Sequence, residues 1–294
     1  MADTAPVHML DMKGQNIIRK FYERCGLETI GPGRIKTGDV STFKTLEDLF
    51  DHLLANGAAV QIVVCHGSSD RGLLVKFATE SAFTATGAVI ATLSALADKG
   101  GVIPSDNSLT NVAAQMGVKT DTALRLIDSL IKLRKRKLIL HIRGCNLGAN
   151  ETLMKAYKTA LGCAAITAPN CRMIYSTINP HKPSKGTSMG DLTAMKPKTP
   201  NTRRRFFPWP ENSYVGPIII DIRDIDGHSR LDSDAFINDP PLSSYWGEKL
   251  LGAWKQSPGA AGSNSFVLPL LWDNNESTWH TPLEDGYRKK LVLV

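Results

Sequence analysis

A cysteine and a histidine stand at matching places in two separate apolar segments of the sequence. His66 follows the run VQIVVC, and Cys145 follows LILHIRG. A thiolate is a strong nucleophile, but a free thiol has a pKa of about 8.5 and is mostly protonated at neutral pH. A nearby imidazole can take that proton and later donate it to a leaving amine. The two residues therefore predict nucleophilic catalysis, with Cys145 as nucleophile and His66 as general base.

Glycines next to both residues fit this chemistry. Gly67 follows the histidine and Gly144 precedes the cysteine, so a substrate backbone can approach closely at both places. A tetrahedral oxyanion needs backbone donors. We expect the N–H groups of Gly67 and Cys145 to supply them.

The elements that carry the two residues have the pattern of buried strands. Residues 58–65 and 137–142 are apolar runs rich in β-branched residues, and each stops at a glycine-containing segment. Ligands of open parallel sheets bind at the carboxyl ends of the strands. If the two strands are neighbours, His66 and Cys145 emerge at the same edge.

Helical patterns separate these strands, and a third strand is predicted at residues 164–168. Such alternation is typical of an α/β fold with a mainly parallel central sheet and helices on both faces. The predicted helices are residues 17–25, 46–55, 87–97, 110–116, 120–133 and 151–161.

The order of strand, His-Gly, strand and Gly-Cys-Asn resembles the caspase-like cysteine proteases. The likeness rests on CHG at residues 65–67, LLV at 73–75 and RGCNLG at 143–148, and AAITAP at 164–169 also fits. It covers roughly residues 46–178 and is greatest to the bacterial CHAT-type members. The resemblance implies a caspase-like fold and hydrolysis of protein substrates at limited sites by a His66–Cys145 dyad. It also implies that no cofactor is needed, and it suggests a regulatory or activating protein partner and a role in immune defence or programmed death.

One departure from the family concerns the position two residues before the cysteine. Metacaspases tend to carry an acidic residue there, whereas this chain has Arg143. One hypothesis is that Arg143 lines the specificity pocket and disfavours basic residues before the cut. The alternative is that Arg143 forms only a structural pair.

The chain is expected to consist of a core, a linker and a completing segment. Residues 1–178 form the caspase-like core, and residues 214–294 add strands and helices to the same domain. Residues 179–213 are rich in proline, lysine and arginine, which indicates an exposed loop or linker. Caspase relatives are often activated by cleavage of an exposed loop after the catalytic cysteine, so the resemblance suggests self-processing within residues 180–205.

Composition argues against several other classes. The chain has 294 residues, 42% of them hydrophobic, so it can bury a sizeable core. Its five cysteines are odd in number and include no CxxC, which disfavours a disulfide framework or zinc ribbon. No secretory pattern and no apolar run of about 18 residues is found. We therefore expect a cytoplasmic protein without metal or membrane partner.

Two other functions stay open at this point. Residues 109–125 resemble a helix-turn-helix with Gly117 at the turn, and the basic run 132–137 follows it. We regard nucleic-acid binding as the weaker interpretation, because this segment lies between the two strands, where family members place helices. The other alternative is an inactive caspase-like binding module, although His66 and Cys145 are both present. His141 and the cysteines at 65, 163 and 171 are expected to be structural.

Overall fold

The computed structural model describes residues 4–12, 15–25, 27–30, 33–99, 108–180, 202–207, 218–223, 266–273, 278–280 and 285–294. The contacts between these residues divide them into two units. The first unit takes its residues from Met1–Met12, Leu27–Arg172 and Lys290–Val294. The second takes its residues from Lys13–Gly26 and Met173–Lys289.

Strands and helices alternate along the described part of the chain. The strands are β1 (Ala5–Leu10), β2 (Leu27–Ile30), β3 (Gly33–Phe43), β4 (Val60–Val64), β5 (Gly67–Ser68), β6 (Gly72–Leu73), β7 (Ile139–Arg143), β8 (Ala165–Pro169), β9 (Arg172–Pro180), β10 (Thr202–Phe207), β11 (Ile218–Arg223), β12 (Phe266–Asp273), β13 (Thr278–His280) and β14 (Leu291–Leu293). The helices are α1 (Gln15–Cys25), α2 (Leu46–Ala55), α3 (Gly87–Asp98), α4 (Ser108–Met116), α5 (Thr120–Arg134), α6 (Glu151–Leu161) and α7 (Asp285–Lys289), with a 3-10 turn at Leu147–Ala149.

The first unit is built on a seven-stranded sheet in the order β14-β8-β7-β4-β1-β3-β2. The central strands β8, β7, β4, β1 and β3 run parallel, and the edge strands β14 and β2 are antiparallel to their neighbours. The predicted α/β fold with a mainly parallel sheet is therefore confirmed. The strand order reverses between β1 and β4, and doubly wound sheets bind ligands beside such a reversal.

Helices α2 to α6 share one hydrophobic core with one face of this sheet. Val63, Leu140 and Ile142 point into that core. Ile62 and Val64 alternate with them and are also buried, so both faces of β4 are covered. Burial on both faces explains why these strands are continuous apolar runs in the sequence.

The basic run at residues 132–137 has a structural role through its arginines. The Arg134 guanidinium donates to the carbonyls of Ala160 and Ser94, near the ends of α6 and α3. Arg136 donates in the same way to the carbonyls of Leu53 and Leu54 in the last turn of α2. The last carbonyls of a helix have no partner within the helix, and cations near them are favourable. These two arginines therefore stabilise the ends of α6 and α2, and Arg134 also binds α3.

The second unit contains a five-stranded sheet in the order β10-β11-β9-β12-β13. Helix α1 packs on β12, and the hydroxyls of Tyr22 and Tyr175 lie 2.7 Å apart. The sequence predicts that residues 214–294 complete the same domain as the core, and this stays a prediction. In the structure the described residues of 218–289 belong to the second unit, and 290–294 return to the first because β14 pairs with β8.

The linker assigned to residues 179–213 contains one described strand, β10. Apart from the end of β9, the rest of the linker lies outside the described residues. The same is true of most of residues 180–205, where self-processing is predicted. In the part of the chain that is described, no helix combines the length and apolar character that a membrane crossing requires.

Candidate active site

The strands that precede His66 and Cys145 are direct neighbours. Strands β4 and β7 pair in parallel, with Val64 opposite Arg143. The pairing continues past the strand end, because the Cys65 N–H donates to the Arg143 carbonyl at 3.3 Å. His66 and Cys145 follow within two residues, so both lie beyond the carboxyl ends of the two paired strands.

The segments that hold the two residues pack backbone against backbone. A Cβ atom on Gly67 would lie 3.1 Å from the carbonyl oxygen of Cys145 and 3.1 Å from the carbonyl carbon of Gly144. A Cβ on Gly144 would lie 3.4 Å from the Gly67 nitrogen and 3.3 Å from the Cys65 carbonyl oxygen. Such spacing leaves little room for a side chain at either glycine. The two backbone donors expected for an oxyanion thus belong to segments in direct contact.

Cys145 lies in a tight turn between β7 and the 3-10 turn, and it is half-buried. The next residue, Asn146, has φ +56°, a left-handed conformation that asparagine adopts more readily than most residues. Its N–H donates to the Cys171 carbonyl at 2.9 Å, and its carbonyl accepts from Ala149 at 3.1 Å. The backbone on the carboxyl side of the cysteine is therefore held by hydrogen bonds.

His66 is also half-buried, and it begins a short hairpin. Its carbonyl accepts the Leu74 N–H at 3.0 Å, and the hairpin pairs Gly67 with Leu73 and Ser68 with Gly72. The backbone of the histidine is therefore part of the hairpin, and movement of the hairpin would move the imidazole.

Three other cysteines differ from Cys145 in burial. Cys65, Cys163 and Cys171 are all buried, as expected for structural residues. Burial raises the pKa of the Cys65 thiol to about 12, and the nearby Cys145 adds to this effect. Burial raises the pKa of Cys163 to about 12 as well, against a smaller opposing effect of Lys158. These two thiols are therefore poor nucleophiles at neutral pH.

We expect iodoacetamide at pH 7.5 to alkylate Cys145 in the folded protein at least about 100-fold faster than Cys65 or Cys163, because thiolate and not thiol reacts. A time course analysed by mass spectrometry measures the rate at each residue. Denatured protein, in which every cysteine should react, is the control. Equal rates at Cys145 and Cys163 in the folded protein would contradict the assignment.

Arg143 and His141 form a buried polar cluster with Thr167 on β8. The Thr167 hydroxyl lies 2.6 Å from Nδ1 of His141 and accepts from Nη1 of Arg143 at 3.4 Å. Arg143 is only 2% exposed. Burial, and then the charge of Arg143, lower the pKa of His141 to about 3, so this histidine is neutral. The contact with Thr167 supports the structural pairing considered for Arg143, and its role in specificity stays a prediction.

Among the described residues, no group of three or more His, Cys, Asp or Glu side chains is arranged to hold a metal ion.

The segment that resembles a helix-turn-helix does form two helices, α4 and α5, joined through Gly117 at φ +63°. On the outer side of α5 the charges pair with acidic groups: Arg125 with Glu47 at 2.6 Å and Lys132 with Asp128 at 2.6 Å. Binding of a nucleic acid requires cations that are free to neutralise its phosphates, whereas Arg125 and Lys132 are already paired with carboxylates. The inward side of α5 belongs to the core and consists of Thr122, Ala123, Leu126, Ile127, Leu130 and Leu133.

Two residues outside the predicted site connect its two halves. Asn150 and Tyr157, at the beginning and in the middle of α6, hydrogen-bond the hairpin that follows His66. Asn150 had a detectable signal, since asparagine before a helical pattern is typical of an N-cap. Tyr157 had none, because its partners lie far away in the sequence.

In comparisons with known proteins, no family model, curated protein or solved structure matches this chain.

Proposed function

We propose that this chain is a caspase-like cysteine endopeptidase that cuts protein substrates at limited sites. One observation carries the proposal: His66-Gly67 and Gly144-Cys145 follow adjacent parallel strands and pack against each other. The carboxyl edge of a parallel sheet is where such folds bind ligands. The caspase-like part of the proposal also rests on the resemblance of the sequence motifs, in which the strand before the histidine comes earlier in the chain than the strand before the cysteine.

In the first half of the reaction, the Cys145 sulfur attacks the carbonyl carbon of the scissile peptide bond. His66 takes the thiol proton, or holds the thiolate beforehand as an ion pair with the imidazolium. The N–H groups of Gly67 and Cys145 stabilise the oxyanion of the tetrahedral intermediate. When the intermediate collapses, the C–N bond breaks, the leaving amine takes the proton from His66, and a thioester remains on Cys145.

In the second half, water attacks the thioester carbonyl while His66 accepts a proton from the water. The second tetrahedral intermediate expels the Cys145 sulfur and releases the new carboxyl terminus. His66 then returns its proton to the Cys145 thiolate, which restores the starting state. All four proton movements use the same imidazole, so the chemistry needs neither a metal nor a cofactor.

The test is cleavage of a proteome-derived peptide library by the wild-type protein and by Cys145→Ala. We expect new peptide termini with the wild-type protein and none with the variant, because alanine has no nucleophile. Sequencing the new termini by mass spectrometry also reads the residue before the cut. Cleavage mainly after lysine or arginine would contradict the role of Arg143 in specificity without affecting the dyad.

The matched control is Cys163→Ala, which removes a buried thiol from the core and leaves Cys145 in place. This variant should give the same termini as the wild-type protein. Identical termini from wild type and Cys145→Ala would refute the proposal. Loss of cleavage in both cysteine variants would show that the assay reports folding and not a nucleophile.

A further inference from the structure

We propose that Asn150 and Tyr157 are positioning residues that hold the hairpin after His66 against helix α6 and thereby align the imidazole with the Cys145 thiol. This inference rests on the proposed function, since it concerns the same dyad. It assigns a role to two side chains that the reaction itself does not use.

Tyr157 fixes the returning strand of the hairpin. Its hydroxyl accepts the Leu73 N–H at 2.9 Å and donates to the Ala85 carbonyl at 2.6 Å. The side chain is 1% exposed, and burial raises its pKa, so the hydroxyl keeps its proton and its donor role. Gly72 belongs to the same contact: its φ is +82°, and a Cβ there would lie 2.2 Å from the tyrosine oxygen.

Asn150 fixes the turn of the hairpin. Its Nδ2 donates to the Ser69 carbonyl at 2.8 Å, while its Oδ1 accepts the Leu153 N–H at 3.0 Å and caps α6. The same amide group therefore both begins the helix and binds the hairpin. Asn150 and Tyr157 are about two helical turns apart, which places them on the same side of the helix.

The beginning of α6 is also fixed relative to Cys145. The cysteine turn leads through the 3-10 turn directly into the helix, and Gly148 within it packs against β8, where a Cβ would lie 2.3 Å from the Ala168 carbonyl oxygen. One rigid helix is therefore joined to the cysteine by the chain and to the histidine hairpin by two side chains. Small misplacements of catalytic groups are costly, so such a connection affects catalysis as well as stability.

The experiment compares Tyr157→Phe and Asn150→Ser with the wild-type protein. Phenylalanine removes only the hydroxyl, and serine keeps a helix-capping oxygen but loses the amide donor and adds no charge beside the thiolate. The readout is the rate of iodoacetamide alkylation at Cys145 at pH 6.5, divided by the rate at pH 9.5. The ratio reports how far the thiol is ionised at pH 6.5, and dividing by the rate at pH 9.5 cancels changes in accessibility.

We expect the ratio to fall at least about fivefold in both variants, towards that of His66→Ala, because a displaced imidazole no longer stabilises the thiolate. Ser81→Ala is the control: Ser81 is a buried hydroxyl that accepts the Phe83 N–H and bonds the Met116 carbonyl. This variant should lower the melting temperature and leave the ratio unchanged.

The possible results separate the two proposals. A wild-type ratio equal to that of His66→Ala would mean that no dyad exists, and the proposed function fails. A wild-type ratio well above that of His66→Ala, with Tyr157→Phe and Asn150→Ser both unchanged from wild type, would overturn the positioning role and leave the dyad intact. A ratio that falls equally in Ser81→Ala would also overturn it, since any loss of stability would then have the same effect.

Discussion

Replacing His66 with alanine should lower kcat/KM for a peptide substrate by about 10³-fold or more, because in the proposed reaction one imidazole serves as base and acid in both halves. The thiol would then ionise unaided, like an ordinary cysteine with a pKa of about 8.5. Activity that remains should therefore increase with pH through that range. The measurement is steady-state hydrolysis of a fluorogenic peptide based on a sequence cleaved in the library, between pH 5.5 and 9.5.

His52→Ala is the matched control for this variant. His52 is half-buried like His66 but lies on α2, with its ring 5.7 Å from that of His8. We expect its kcat/KM to stay within about twofold of the wild-type value, as for a substitution away from the reacting groups. A His66→Ala enzyme as active as His52→Ala would exclude His66 as the general base.

The Gly148→Ala substitution should destabilise the first unit by about 3 kcal/mol. The added methyl group would lie 2.3 Å from the Ala168 carbonyl oxygen and 2.9 Å from the Pro169 carbonyl carbon. Both are backbone atoms of a central strand and cannot rotate away, so the 3-10 turn or β8 has to move. Urea unfolding of the purified protein measures the effect as a lower midpoint. Slower alkylation of Cys145 should accompany it, because the turn follows the cysteine directly.

Gly57→Ala is the control for the glycine substitution. Neither glycine has a left-handed backbone, so the two variants differ in the space available and not in φ. Nothing lies within 4 Å of a Cβ at Gly57. Alanine there should be neutral or stabilise by about 0.5 kcal/mol, since it restricts the unfolded chain. Equal urea midpoints for the two variants would show that the contact with β8 tolerates a methyl group.

Local signals explain the elements that the sequence predicted well. Helices α2 and α6 have the predicted bounds, 46–55 and 151–161, because their ends are set by nearby residues. In α2, Thr45 and Asp48 form a capping box, and in α6, Gly162 ends the helix at φ +63°. Strands β4, β7 and β8 overlap their predicted ranges because burial on both faces leaves a continuous apolar run.

Other elements depend on partners that are distant in the sequence. Strands β1 and β3 carried no strand prediction, although they complete the parallel sheet. Strand β3 reads GRIKTGDVSTF, a polar segment with two glycines, and its pairing with β1 makes it a strand. Strand propensity depends mainly on such neighbours, so the local residue pattern does not indicate these two strands.

By itself, the sequence determined the types of the candidate catalytic residues and their place at the ends of two buried strands, because residue identity and apolar runs are local properties. Only the tertiary structure decided that those strands are neighbours and that the glycines beside His66 and Cys145 touch. It also decided that Tyr157 and Asn150 bind the hairpin. The physical reason is that strand order and the reach of a side chain follow from packing the whole chain, and no short segment contains that information.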